Sequence, residues 1–125
     1  MFKKKGFTLI ELIMIIVILG VLAVVAIPKY VDLQAQAKVS AEKGVVGGVR
    51  AGIATFFVNQ TPPAYPTPTL ETAVFTGSCN ATQVCFDRVL QQGGITSDWS
   101  KATATTYTGP TGTVYTYTAA TGDFK

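Results

Sequence analysis

Few side chains in this 125-residue sequence could carry covalent or proton chemistry. Histidine is absent, which removes the usual general base and the commonest metal ligand. Serine and threonine are plentiful, but no imidazole exists to activate one of them as a nucleophile. The acids are scattered, and Asp98 and Asp123 stand apart from other carboxylates, so no calcium loop is expected. The expectation is therefore a protein that is not an enzyme, with no catalytic residues, no cofactor and no metal site.

Three features remain that could do chemistry. Cys79 and Cys85 are the only cysteines. If their half of the chain is exported into an oxidising compartment, a disulfide between them is the first reading. Zinc would need more soft ligands than two, and the spacing is not that of a C-x-x-C redox pair. Asn59-Gln60-Thr61 and Asn80-Ala81-Thr82 both fit the weak N-glycosylation triplet. The third feature is Glu11, a single carboxylate inside an apolar run.

That run extends from Phe7 to Ile27 and is broken only by Thr8, Glu11 and Gly20. As a helix it would be about 31 Å long, close to the hydrocarbon thickness of a bilayer. Lys3, Lys4 and Lys5 precede it and would hold that end in the cytoplasm. These three lysines also account for the formal net charge of +3. The remaining basic side chains equal the 7 acidic ones, so no nucleic-acid footprint is read from the charge. An ordinary secretory signal would have a shorter core followed by a small-residue cleavage site. A plain signal anchor would explain the length but not the acid. A carboxylate near the bilayer centre costs on the order of 3 kcal/mol, so Glu11 marks a function.

The residues Lys3 to about Leu33, and KKKGFTLIEL within them, resemble the prepilin signal shared by type IV pilins and type II secretion pseudopilins. The resemblance implies cleavage after Gly6 by a prepilin peptidase and methylation of the new amino terminus at Phe7. It also implies that Glu11 of an incoming subunit pairs with the Phe7 amine of a docked one. Gly20 and Pro28 fall where related filaments lose helicity. The expected organisation is a leader over residues 1–6, a transmembrane and assembly half-helix over 7–28, an amphipathic half-helix over 29–59 and a globular head over 60–125.

The long helix must position these groups. Pro28 removes one backbone donor and crowds the carbonyl of Val24, which predicts a kink rather than a stop. Beyond it, Val45, Val49, Ile53 and Phe56 recur at helical spacing as an apolar stripe. Ser40, Gly44, Gly48 and Gly52 run beside it, with Gly47 near, and invite close backbone approach. The head's sheet lying flat on that side, and helix-to-helix contact in a filament, are both open readings. Lys38, Glu42, Lys43 and Arg50 are expected to keep the other surface wet.

The helix should end near Asn59. Prolines 62, 63, 66 and 68 make Gln60 to Leu70 an extended connector. Asn80 to Gln92 is expected to be a second helix, capped by Asn80 and ended by Gly93-Gly94, with Val84, Phe86, Val89 and Leu90 facing inward. Thr103 to Tyr107 and Thr113 to Thr118 read as two strands around the turn Gly109 to Gly112. Tyr115 and Tyr117 share one face of the second strand, and Val114 takes the other. Two strands alone would be marginal, so a third must come from Ala73 to Thr76 or around Phe124, or the helix must cover the pair. The fold class is α+β, a pilin fold in which a long helix, kinked at a proline, carries a small antiparallel sheet on its C-terminal half.

The tail, with CFDRVLQ, a following tryptophan, Tyr-Thr-Tyr and TGDFK, is similar to short pilins related to the mannose-sensitive haemagglutinin pilus. The implied function is a structural subunit of a type IV pilus-like filament serving adhesion, motility or DNA uptake. A secretion pseudopilin is the alternative. An electron-conducting pilin is disfavoured, because Tyr30 to Phe56 is an aromatic gap of about 39 Å along a helix. The implied partners are further copies in a helical homo-oligomer, the prepilin peptidase, an inner-membrane assembly platform and, before assembly, the lipid bilayer. The implied location is a single-pass inner-membrane precursor and then a cell-surface filament.

Overall fold

A computed structural model describes residues 4–125; Lys3 and the start of the expected leader lie outside the described residues. One helix, α1, runs from Leu9 to Asn59 and passes through Pro28 without interruption. The chain divides into two compact units, Met1–Ala37 and Lys38–Lys125, so the boundary falls inside α1.

In the first unit every described residue is exposed. Leu9, Ile10, Leu12 and the large aliphatic residues that follow to Ile27 are exposed. A contiguous apolar surface of this size marks contact with a membrane or another protein. Length and composition would let this part of α1 cross a membrane.

In the second unit Glu42, Val46, Val49 and Ile53 of α1 are buried at helical spacing. The stripe is thus centred on Val46, while Val45 and Phe56 lie at its partly buried edges. Burying each aliphatic side chain contributes about 1.5–3 kcal/mol. Glu42 belongs to this buried face, against the expectation of a wet one.

Five short strands form one antiparallel sheet: β1 (Gly77–Ser78), β2 (Ser100–Lys101), β3 (Thr106–Thr108), β4 (Val114–Thr118) and β5 (Asp123–Phe124), in spatial order β1-β2-β3-β4-β5. β3 and β4 are the expected hairpin, with Tyr107 opposite Tyr115. Its turn uses Gly112 at φ 86°, a conformation open to glycine. Alternation along β4 buries Tyr117 and leaves Val114 exposed, as its pattern required. Phe124 does supply a strand beside β4, with Tyr117 opposite it. The strand beside β3 is Ser100–Lys101. Ala73 to Thr76 stays outside the sheet, and β1 begins just after it.

The expected second helix is absent: Asn80 to Gln92 is a series of turns with one isolated bridge, Cys85 to Ile95. Two causes are visible. Phe86 has φ 63°, the left-handed region that an L-residue helix cannot contain. Cys79 and Cys85 are bonded with Cα atoms 5.6 Å apart. Six helical residues would advance about 9 Å, too far for that bond. Asn80 still caps, but it caps a turn: its Oδ1 accepts from the N–H groups of Thr82 and Gln83, each at 2.9 Å.

The inward turn gives the head its centre. Phe86 is fully buried and packs edge-on to Trp99 at 5.4 Å and Phe124 at 5.6 Å, and tilted against Tyr107 at 4.6 Å. Aromatic contacts of this kind add about 0.5–1.5 kcal/mol each beyond burial.

Candidate functional site

The residues singled out for processing and assembly gather at the start of α1. Gly6 precedes the helix, and a Cβ placed on it would meet nothing within 4 Å. The same holds for Gly20. Packing among the described residues therefore asks for glycine at neither position. Phe7 is 87 % exposed.

Thr8 and Glu11 close the helix end reciprocally. The Thr8 N–H donates to Glu11 Oε2 at 2.9 Å, and the Glu11 N–H donates to Thr8 Oγ1 at 3.4 Å. This is a capping box: two backbone donors that a helix start leaves unpaired each gain a side-chain acceptor. Glu11 therefore has a local partner before any second chain is involved. The spacing Thr-Leu-Ile-Glu ahead of an apolar run carried this signal in the sequence.

The other acid of α1 is also engaged. Glu42 is 3 % exposed and sits under the β3–β4 turn. Its Oε2 accepts from the Thr111 N–H at 2.8 Å and the Thr111 hydroxyl at 2.6 Å, and its Oε1 accepts from the Tyr115 hydroxyl at 2.7 Å. Burial alone would raise its pKa, but these donors outweigh burial and hold it below the ordinary carboxylate range. The Tyr115 phenol is pushed up in return, first by its hydrogen bond to Glu42. Arg50 ties the same helix to β5, its Nε donating to the Phe124 carbonyl at 2.8 Å.

The small-residue stripe divides along its length. Gly44 and Gly47 face open space. At Gly48 a Cβ would make ordinary contact with Leu90 Cδ2 at 3.5 Å. At Gly52 it would overlap the carbonyl of Val89. The closest approach is therefore at Gly52, not Gly48. What approaches is the Val89–Leu90 turn, not the face of the sheet.

Cys79 and Cys85 form the disulfide, and no cysteine among the described residues is free. The Cys79 N–H donates to the Trp99 carbonyl at 2.9 Å, which joins the bonded loop to the strand region. The Asn80 amide is occupied on both sides, since its Nδ2 also donates to the Ser78 carbonyl at 3.2 Å. Among the described residues no three His, Cys, Asp or Glu side chains cluster as metal ligands.

Residues 1–27 match the prokaryotic N-terminal methylation motif. The chain is 43 % identical over 56 residues to the type IV major pilin protein PilE1 of Neisseria gonorrhoeae, which covers 45 % of this chain and 34 % of that one. It is 43 % identical over 56 residues to a fimbrial protein of Neisseria meningitidis serogroup B, covering 45 % and 33 %. It is 46 % identical over 52 residues to a fimbrial protein of Moraxella nonliquefaciens, covering 42 % and 34 %. The matched stretch is thus about a third of each relative's length. No solved structure matches the chain. The chain is thus similar to type IV pilins over part of its length.

Proposed function

We propose that this chain is the precursor of a structural subunit of a type IV pilus-like filament. The observation that carries the reading is a capped carboxylate, Glu11, at the head of a wholly exposed apolar helix, just after a Gly6-Phe7 junction. Since nothing among the described residues requires glycine at position 6, the requirement is assigned to an outside reader, the prepilin peptidase. Cleavage after Gly6 frees the amine of Phe7, which is then methylated. The helix holds the subunit in the inner membrane as a single pass, with the leader's lysines in the cytoplasm until cleavage removes them, and an assembly platform then transfers it to the filament on the cell surface.

Glu11 guides that transfer. In an apolar filament core, attraction between a carboxylate and an amine is far stronger than in water, and an unpaired charge is heavily penalised. Only one axial stagger between neighbouring subunits leaves neither Glu11 nor the Phe7 amine alone. Gly20 and Pro28 are the points at which the helix lengthens or bends during assembly. The filament serves adhesion, motility or DNA uptake.

The test is Glu11→Val. The subunit should still insert and still be cut at Gly6, while filaments become few or absent. The measurement is filament yield against the cleaved membrane pool. Equal filament yields for wild type and variant would remove Glu11 from docking.

A further inference from the structure

One cluster in the head is unused by this account. Lys101 of β2 and Glu71 of the connector are in direct contact, Nζ against Oε1, and both side chains are 0 % exposed. Tyr107 of β3 donates its hydroxyl to the same carboxylate, 3.1 Å from Oε1 and 2.9 Å from Oε2. The Leu70 N–H donates to that hydroxyl at 3.4 Å and holds it from behind. The rings of Phe75 and Tyr107 close over the amine, each with its centroid 5.5 Å from Nζ.

An ammonium at this place is poorly served. It carries three N–H donors, and among the described residues Glu71 Oε1 is its one hydrogen-bond acceptor. Ring faces attract a cation but do not replace lost water in full. Burial lowers the Lys101 pKa and so favours the neutral, nucleophilic amine. An amine held against a carboxyl group in a dry site, with a hydroxyl fixed on the carboxyl oxygens, is the arrangement for acyl transfer.

We infer that Lys101 and Glu71 condense to an intramolecular amide that cross-links β2 to the connector. A proton first passes from Nζ to the carboxylate within the contact, giving amine and acid. The Nζ lone pair adds to Cδ of Glu71. The oxygen that becomes negative is held by the Tyr107 hydroxyl, which stabilises charge where it develops. The remaining hydroxyl of Glu71 takes a second proton from nitrogen and leaves as water, and the Cδ–O bond breaks. One N–C bond is formed, one water is released, and no oxidant, reductant or second substrate is consumed. Tyr107 is a catalytic residue for this step because it touches the reacting oxygens.

The inference is independent of filament assembly and is read on the full chain extracted from membranes and reduced. Trypsin cuts after Arg50, Arg88 and Lys101, but not after a lysine whose amine is acylated. The expected product is a branched species joining residues 51–88 to residues 89–125, lighter than their sum by one water. Fragmentation should place the link at Glu71 and Lys101. Lys101→Arg should abolish the branched species. Tyr107→Phe should lower its yield while leaving the amine and acid in place. Recovery of residues 51–88 and of a peptide ending at Lys101, both at full mass and with no branched species, would overturn the cross-link. The pair would then be an ion pair only.

Discussion

The two parts of α1 obey different physics. Up to Ala37 no described residue of the helix is buried, whereas from Glu42 to Ile53 one face is closed by the head. The first part is specified by local signals: an apolar run, a cap and a cleavage-like junction. The second is specified by what lies opposite each residue, so identical residue types have unlike roles. Gly44 faces open space and Gly52 meets a main-chain carbonyl, although both are glycines of one helix. Glu11 is exposed and capped by its neighbour, while Glu42 is buried and held from 69 residues away. Substitutions in the first part should therefore change assembly and leave the head folded, and substitutions in the second should do the reverse.

The largest break in that comparison is expected at Phe86. Phe86→Ala removes the ring on which Trp99, Tyr107 and Phe124 converge, and should lower head stability by about 3–5 kcal/mol. Alanine keeps the Cβ, so the left-handed backbone at φ 63° gains no relief to offset this. A truncation such as Ile16→Ala, in the exposed part, should leave the same thermal or denaturant midpoint unmoved.

Gly52→Val comes next. Its methyl groups would enter the space of the Val89 carbonyl, and main chain cannot rotate away. The cost should reach the upper end of the roughly 1–3 kcal/mol usual for overpacking. Gly44→Val should leave head stability within error. Protease resistance of the head compares the two directly, and equal losses would mean that the stripe acts as a unit.

Reduction of Cys79–Cys85 should cost the head about 2 kcal/mol, because the closed loop is short. Membrane insertion should not change, since the apolar part of α1 lies wholly before the loop. Denaturant midpoints with and without reductant measure the first effect, and the cleaved membrane pool measures the second.

Glu42→Gln is the mildest change. It keeps one acceptor but sets an amide group among donors, and should cost about 1–2 kcal/mol. The wild-type carboxylate has a depressed pKa in the folded state. Its contribution is therefore present above the unfolded carboxylate pKa and is lost as pH falls through the folded value. At the alkaline end, burial pushes the Tyr117 phenol up to about 12. That contribution is present below the unfolded phenol pKa and fades as pH rises toward the folded one. In Glu42→Gln a pH series of unfolding midpoints should show a shallower acid limb and a smaller alkaline limb, because Tyr115 loses the carboxylate that raises it, while the Tyr117 contribution remains.

The contrast between the regions also explains what could be read from the residues alone. The long helix, its end at Asn59, the β3–β4 hairpin and the disulfide are legible because each rests on local pattern or compartment chemistry. The Thr8–Glu11 cap was equally local and rested on a known spacing. The expected helix over Asn80 to Gln92 conflicted with the expected disulfide, because a helix separates residues 79 and 85 too far for a bond. The covalent constraint won, and Phe86 turned inward. β1, β2 and β5 have two residues each, too few for any periodicity to appear. Glu42 was unreadable because its partners, Thr111 and Tyr115, are brought to it only by the folded hairpin.

In the working protein the chain should begin at a freed and methylated Phe7, just ahead of α1. The amino-terminal peptide of the subunit taken from sheared surface filaments, measured by mass spectrometry, tests it most directly. The account predicts a single amino terminus at N-methylated Phe7, with everything through Gly6 removed. A filament subunit that retains Gly6, or one that starts anywhere from Ala23 to Pro28, would contradict it.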